Sequence, residues 1–122
     1  MKILGSIMFI AYAVVGILLA LALSASAVLT FTRNEAVTAS MAKVGVPDSW
    51  FPRLAVLKAA GAAGLLVGLA VPFIGSAAAV GVVLYFIGAV ITHVRAKDFE
   101  IAAPVILTLL AGAALVLRVL SA

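Results

Sequence analysis

The chain has no cysteine among its 122 residues, so it carries neither a disulfide nor thiol–disulfide chemistry of its own. Charge is scarce: 10% of the sequence against 67% hydrophobic residues, which leaves too little polar surface to cover a soluble domain and makes lipid the solvent. All four carboxylates, Glu35, Asp48, Asp98 and Glu100, fall in polar connections, and none lies within a hydrophobic run. A four-span proton-coupled exporter or a rotary proteolipid exchanges its proton at a membrane-embedded acid, so both classes are disfavoured. One histidine cannot make a zinc site without partners, so no metal centre is expected, and a bis-His haem would need a second chain. The net charge of +4 comes from basic residues scattered at the ends of apolar runs, with no basic stripe or interleaved aromatics, which argues against nucleic acid as a partner.

What is present is apolar length. Ile3 to Phe31, Ala59 to Pro72, Phe73 to Thr92 and Ile101 to Leu117 contain no charged side chain. About 20 apolar residues in a helix cover a hydrocarbon core of roughly 30 Å while satisfying every backbone group internally. The expected fold class is all-α, a four-transmembrane-helix antiparallel bundle in one domain, 1–122. Its spans lie near 3–31, 53–71, 74–96 and 100–120, with a polar connection over 32–52. The first run, reaching Ala25-Ser26-Ala27, imitates a secretory leader but exceeds the roughly 7–15 residues of a leader's apolar region, so it reads as a retained span. Asn34 to Val44 reads as a short interfacial helix ended by Gly45. Pro47, Asp48 and Ser49 read as a turn and N-cap ahead of Pro52, with Trp50 and Phe51 as interfacial anchors. Pro72 and Gly75 break the long apolar stretch into a tight hairpin.

Lys43, Arg33, Arg53, Arg95 and Lys97 outnumber Lys2 and Arg118 at the span ends, which predicts cytoplasmic connections at 32–52 and 97–100 and both termini outside. Gly61, Gly64 and Gly68 on the second span, and Gly81 and Gly88 on the third, read as close helix contacts, within one bundle or between protomers.

Few residues are left to carry chemistry. Lys58 lies roughly 9 Å into the second span at 1.5 Å per residue. It either snorkels to the interface or faces inward toward an acid or an anionic or carbonyl-bearing ligand. His93, at the same membrane face in an antiparallel arrangement, is either a hydrogen-bonded boundary residue or a proton-handling group, since imidazole titrates near neutrality. Ser26, Thr30 and Arg33 end the first span nearby. Tyr85, Gly88 or Ala89, and Thr92 could line a cleft descending from that face, unless Tyr85 is a packed aromatic whose hydroxyl meets a backbone carbonyl. Tyr12 lies too far away to join them.

Val44-Gly45-Val46-Pro47, Leu57-Lys58-Ala59-Ala60-Gly61, Gly64 to Leu69, Pro72, Leu84-Tyr85-Phe86 and His93-Val94-Arg95-Ala96-Lys97-Asp98, in that order, resemble the DoxX-like family of small bacterial integral membrane proteins. That family is named after a subunit of a thiosulfate:quinone oxidoreductase, and its members are linked to redox and thiol homeostasis. The resemblance implies a bacterial cytoplasmic membrane protein and carries over Lys58, His93, Arg95 and Asp98 as site positions, with Gly61, Gly68 and Pro72 structural.

The first functional reading is an accessory or binding subunit that accepts a lipophilic ligand such as a quinone at a cytoplasmic-side cleft. In it Lys58 and Arg95 polarise an oxygen, His93 exchanges a proton and Asp98 orients His93 or Arg95, with Tyr85 and Arg33 completing the ligand-binding set. The alternatives are a purely structural subunit, packed as a homo-oligomer or against another membrane protein, and a stand-alone membrane isomerase or oxidoreductase. The sequence holds no flavin or nucleotide fingerprint, so the only cofactor expectation is the quinone.

Overall fold

The computed structural model describes residues 2–98 and 101–121, the side chains of Lys2 and Asp48 excepted. Glu100, and with it part of the 97–100 connection, lies outside the described residues. All regular structure among the described residues is helical: α1 (Lys2–Phe31), α2 (Glu35–Lys43), a 3-10 turn (Asp48–Trp50), α3 (Phe51–Val67), α4 (Pro72–Arg95) and α5 (Ala102–Ser121). Among the described residues three helices, α1, α4 and α5, are long and apolar enough to cross a membrane. The stretch expected to span over 53–71 is instead α3, of 17 residues, which at 1.5 Å per residue is about 26 Å long. Residues 68–71 form the turn into α4.

α1 packs on α3 and α5, and α4 packs on α3 and α5. Contacts fix the directions. Tyr12 meets Leu65 while Thr30 meets Lys58, so α1 and α3 run antiparallel. Gly61 lies against Val82, Gly64 against Ala78 and Gly68 against Gly75, so α3 and α4 do too. The core is built from Tyr12, Leu19 and Leu23 of α1, Leu65 of α3, Val82 and Phe86 of α4, and the small Ala111 and Ala114 of α5. The outer faces expose Ile10, Val14, Leu18, Leu84, Leu109 and Val116, an apolar surface suited to acyl chains.

The polar connections have defined local causes. α1 and α4 end in the same motif. Asn34 N–H donates to the Leu29 carbonyl and Arg33 N–H to that of Thr30, and Asp98 N–H donates to the His93 carbonyl and Lys97 N–H to that of Val94. This places Arg33 and Lys97 in the left-handed region, each at φ 57°. Asn34 then caps α2, its Oδ1 accepting from Ala36 and Val37 N–H at 3.1 and 3.4 Å, and Gly45, at φ +79°, ends the segment. The expected Asp48/Ser49 N-cap of the next helix is replaced by the 3-10 turn, whose Trp50 N–H bonds to the Pro47 carbonyl. Trp50 occupies the cap position without a side-chain bond, and Pro52 sits in the first turn of α3.

Candidate functional site

Lys58 faces inward. Its side chain is 8% exposed, and its ammonium donates to Ser26 Oγ at 2.7 Å and Thr30 Oγ1 at 3.3 Å, two hydroxyls one turn apart on α1. It also lies 5.7 Å from the centroid of the Tyr85 ring, within cation–π range. No carboxylate among the described residues pairs with it. An ammonium has three donors, and two are engaged by neutral acceptors.

A groove of about 500 Å³ opens beside this ammonium, walled by Lys58 and Gly61 of α3 and Ala78, Gly81 and Tyr85 of α4. A second, of about 350 Å³, runs from Tyr85 past Gly88 and Thr92 to His93 and is closed on its other side by Met41, Val44 and Trp50. The two share Leu57, Leu84 and Tyr85, so Tyr85 stands at their junction. Its hydroxyl makes no hydrogen bond among the described residues and is not among the sealed, unpartnered atoms. The alternative in which it rests on a backbone carbonyl is therefore set aside.

The glycines divide in two. A Cβ at Gly61, Gly64 or Gly68 would strike Val82, Ala78 or the Gly75 backbone respectively, so these close the α3–α4 contact as the sequence implies. A Cβ at Gly81 or Gly88 would meet nothing within 4 Å. Within one bundle, then, these two positions make no close helix contact and face open space, where they widen the grooves.

His93 borders the second groove. Its Nδ1 lies 3.0 Å from Asp98 Oδ2, and Asp98 Oδ1 lies 3.4 Å from Lys43 Nζ. Asp98 is 5% exposed and Lys43 57%, so the buried carboxylate ties α4 to the end of α2. A carboxylate only accepts, which puts a proton on Nδ1 and leaves Nε2 to a ligand or water. Of the remaining sequence-derived positions, Arg95 is exposed and borders a separate opening with Val44, Thr92 and Ala96. Arg33 is exposed at the α1 terminus, its guanidinium 5.0 Å from the Phe51 ring centroid. The structure thus gathers Lys58 and Tyr85 on one groove and Tyr85 and His93 on the next, sets Asp98 behind His93, and leaves Arg95 on a separate opening and Arg33 over Phe51, outside both grooves.

Sequence reasoning missed Lys43 as the partner of Asp98, and it missed Arg118, taken there only as a topology signal. Arg118 is 4% exposed. Its Nε donates to the Gly68 carbonyl at 2.7 Å, its Nη1 donates to Ser121 Oγ at 3.1 Å, and its guanidinium lies 5.2 and 5.4 Å from the rings of Phe9 and Tyr12. Ala111, Ala114 and Arg118, spaced three and four apart, share the buried face of α5, and that spacing was the available signal. Tyr12, whose hydroxyl donates to the Leu65 carbonyl at 2.7 Å, belongs to this end, away from Lys58 as the sequence suggests.

Neither the curated proteins nor the solved structures searched gave a match. The family model described as DoxX-like family matches residues 14–116, a stretch that contains Lys58, Tyr85, His93 and Asp98 together with both grooves. With all-helical architecture and three apolar helices long enough to cross a bilayer, the chain is a multi-pass integral membrane protein of the DoxX-like family.

Proposed function

We propose that this protein is a four-span antiparallel bundle of the bacterial cytoplasmic membrane, with α3 as the short fourth span. It serves as a redox-associated binding subunit that takes a lipophilic molecule with a polar head, a quinone being the leading candidate. The observation that carries the reading is the Lys58 ammonium, buried against neutral hydroxyls beside an apolar groove. A cation in such a place without a counter-charge is costly, and a ligand carbonyl can accept its third N–H. Tyr85 would cover the ring face or donate its free hydroxyl. His93, oriented by Asp98, would exchange a proton at the far oxygen through Nε2. Arg95 and Arg33 would act from outside the grooves, on the polar head as it enters from the interface.

The topology belongs to the same proposal. Arg33, Lys43, Arg53, Arg95 and Lys97 cluster at the α1–α3 connection and the α4–α5 connection, which favours those connections in the cytoplasm and the termini outside. A reporter that fluoresces only in the cytoplasm, fused after Ala122, is expected to stay dark.

Trp50, the only tryptophan in the chain, lines the second groove and supplies the binding assay. Titrating the detergent-solubilised protein with a ubiquinone analogue is expected to quench Trp50 emission saturably. Lys58→Met removes one charge-assisted hydrogen bond to the ligand, worth about 1.5–3 kcal/mol, so affinity should fall about tenfold to a hundredfold. Quenching that is linear and identical in wild type and Lys58→Met, with both proteins folded, defeats the reading.

A further inference from the structure

We infer that the end of the molecule opposite Lys58 holds a second site, a groove for the phosphodiester of a membrane lipid with Arg118 as its fixed cation. A groove of about 460 Å³ lies there between the start of α1 and the end of α5, lined by Gly5, Ser6, Phe9, Ile10 and Ser121. Arg118 stands directly behind it: Nη1 donates to Ser121 Oγ, which lines the groove, and the guanidinium lies against the Phe9 ring.

The donor inventory points outward. A guanidinium has five N–H groups and no acceptor. Nε serves the Gly68 carbonyl and Nη1 serves Ser121, while the N–H groups of Nη2 have no partner among the described residues. Among those residues the one buried side-chain nitrogen or oxygen atom without a partner is Thr38 Oγ1. Nη2 is therefore not sealed, although the residue as a whole is 4% exposed. No carboxylate among the described residues pairs with Arg118, and the planar fork is suited to two oxygens of one phosphate.

Position selects the source of that phosphate. Tyr12 bonds Leu65 and Arg118 bonds Gly68, so both sit level with the α3–α4 turn. Residues 5–10 of α1 extend beyond that level by up to roughly 10 Å at 1.5 Å per residue, which reaches the headgroup zone of a bilayer whose polar layers add several ångströms to each side of the core. The hydroxyl of Ser6 offers a further donor, that of Ser121 already donating to the Arg118 carbonyl at 3.2 Å, and Phe9 and Ile10 offer an apolar wall for the adjoining glycerol and acyl carbons.

The test is native mass spectrometry of the full chain in detergent with an equimolar mixture of phosphatidylglycerol and diacylglycerol of matched acyl chains. Wild type is expected to retain phosphatidylglycerol about tenfold over the neutral lipid. Gly5→Leu, at a position where an added Cβ meets nothing within 4 Å, fills the groove without touching the bonds of Arg118 and is expected to abolish that preference while the thermal unfolding profile stays unchanged. Arg118→Gln should abolish it as well. Equal retention of the two lipids by wild type, or undiminished phosphatidylglycerol on folded Gly5→Leu protein, overturns the site. Displacement of the lipid by an equal concentration of inorganic phosphate overturns the membrane as its source.

Discussion

If Ser26 and Thr30 hold the Lys58 ammonium inside the protein, removing the acceptors should harm the chain more than removing the cation. The double change Ser26→Ala with Thr30→Val takes away both oxygens, at 2.7 and 3.3 Å, and keeps nearly the same volume. It leaves a buried ammonium whose remaining neighbour is the Tyr85 ring. Hydrogen bonds to a charged group contribute about 1.5–3 kcal/mol each, and side-chain bonds between membrane helices average nearer 0.6 kcal/mol. The second acceptor is long, so the first figure applies to Ser26 and the second to Thr30, for a loss of about 2–3.5 kcal/mol. Lys58→Met should cost far less, because the orphaned hydroxyls can turn back to carbonyls of their own helix and a buried charge without an acid partner has been removed. In the Lys58→Met background the Ser26/Thr30 pair should then be nearly silent, and the cycle should yield a coupling of about 2–3.5 kcal/mol. Unfolding in detergent micelles with rising sodium dodecyl sulfate, followed by circular dichroism, measures all four proteins. Equal loss from the hydroxyl changes in both backgrounds would refute the reasoning, since it would mean that the ammonium reaches the interface and does not depend on α1.

Other outcomes follow from the same geometry. Gly81→Leu and Gly88→Leu project into open space, so each should leave the unfolding midpoint almost unmoved while abolishing saturable quenching of Trp50 by a quinone; retained quenching in both would exclude the grooves as the ligand path. Gly68→Ala drives a methyl into the Gly75 backbone, which cannot step aside, and should cost about 1–3 kcal/mol, whereas Gly112→Ala, with nothing within 4 Å, should stay within about 0.5 kcal/mol of wild type. Asp98→Asn removes the partner shared by Lys43 and His93. Lys43 is largely exposed, so global stability should fall by no more than about 1 kcal/mol. Maleimide labelling at Met41→Cys, clean in a chain with no native cysteine, should nevertheless quicken as the end of α2 loosens; an unchanged labelling rate would show that this carboxylate does not hold α2 down.

The sequence made the helices legible because their causes are local: apolar length for α1, α4 and α5, the Asn34 cap and Gly45 stop of α2, and Pro72 at the head of α4. The length of α3 was harder. The apolar stretch continues past Val67 to Pro72, and Gly68, at which α3 ends, lies against Gly75 across the turn, a contact that no single-helix pattern contains. The direction of Lys58 was left open for a similar reason, although the Ser26–Thr30 pair on α1 was its signal: two hydroxyls one turn apart near the end of an apolar helix suit a shared donor. Gly81 and Gly88 were indistinguishable from packing glycines, because a heptad spacing marks a common helix face without saying whether a neighbour covers it. Arg118 was misjudged because basic residues in the last turn of a span usually mark topology; only the small Ala111 and Ala114 on its own face indicate that this face is turned inward.

The placement of the grooves has a single steric origin. Along α3, away from the turn, the glycines meet progressively larger partners on α4: Gly68 meets Gly75, Gly64 meets Ala78, and Gly61 meets the Cγ2 of Val82. Helix axes approach as closely as the side chains between them allow, so the increasing bulk forms a wedge that splays α3 and α4 toward the end where Lys58 and Tyr85 face each other. Beyond Gly61 the glycine ladder on α3 stops, and the open positions shift to Gly81 and Gly88 on α4. The lysine therefore sits where the two helices part, with α1 supplying the hydroxyls that keep its charge from the lipid. A ligand entering between α3 and α4 would meet the ammonium at the wide end of the wedge, and the Gly68–Gly75 contact at its narrow end would stop it from passing through to Arg118.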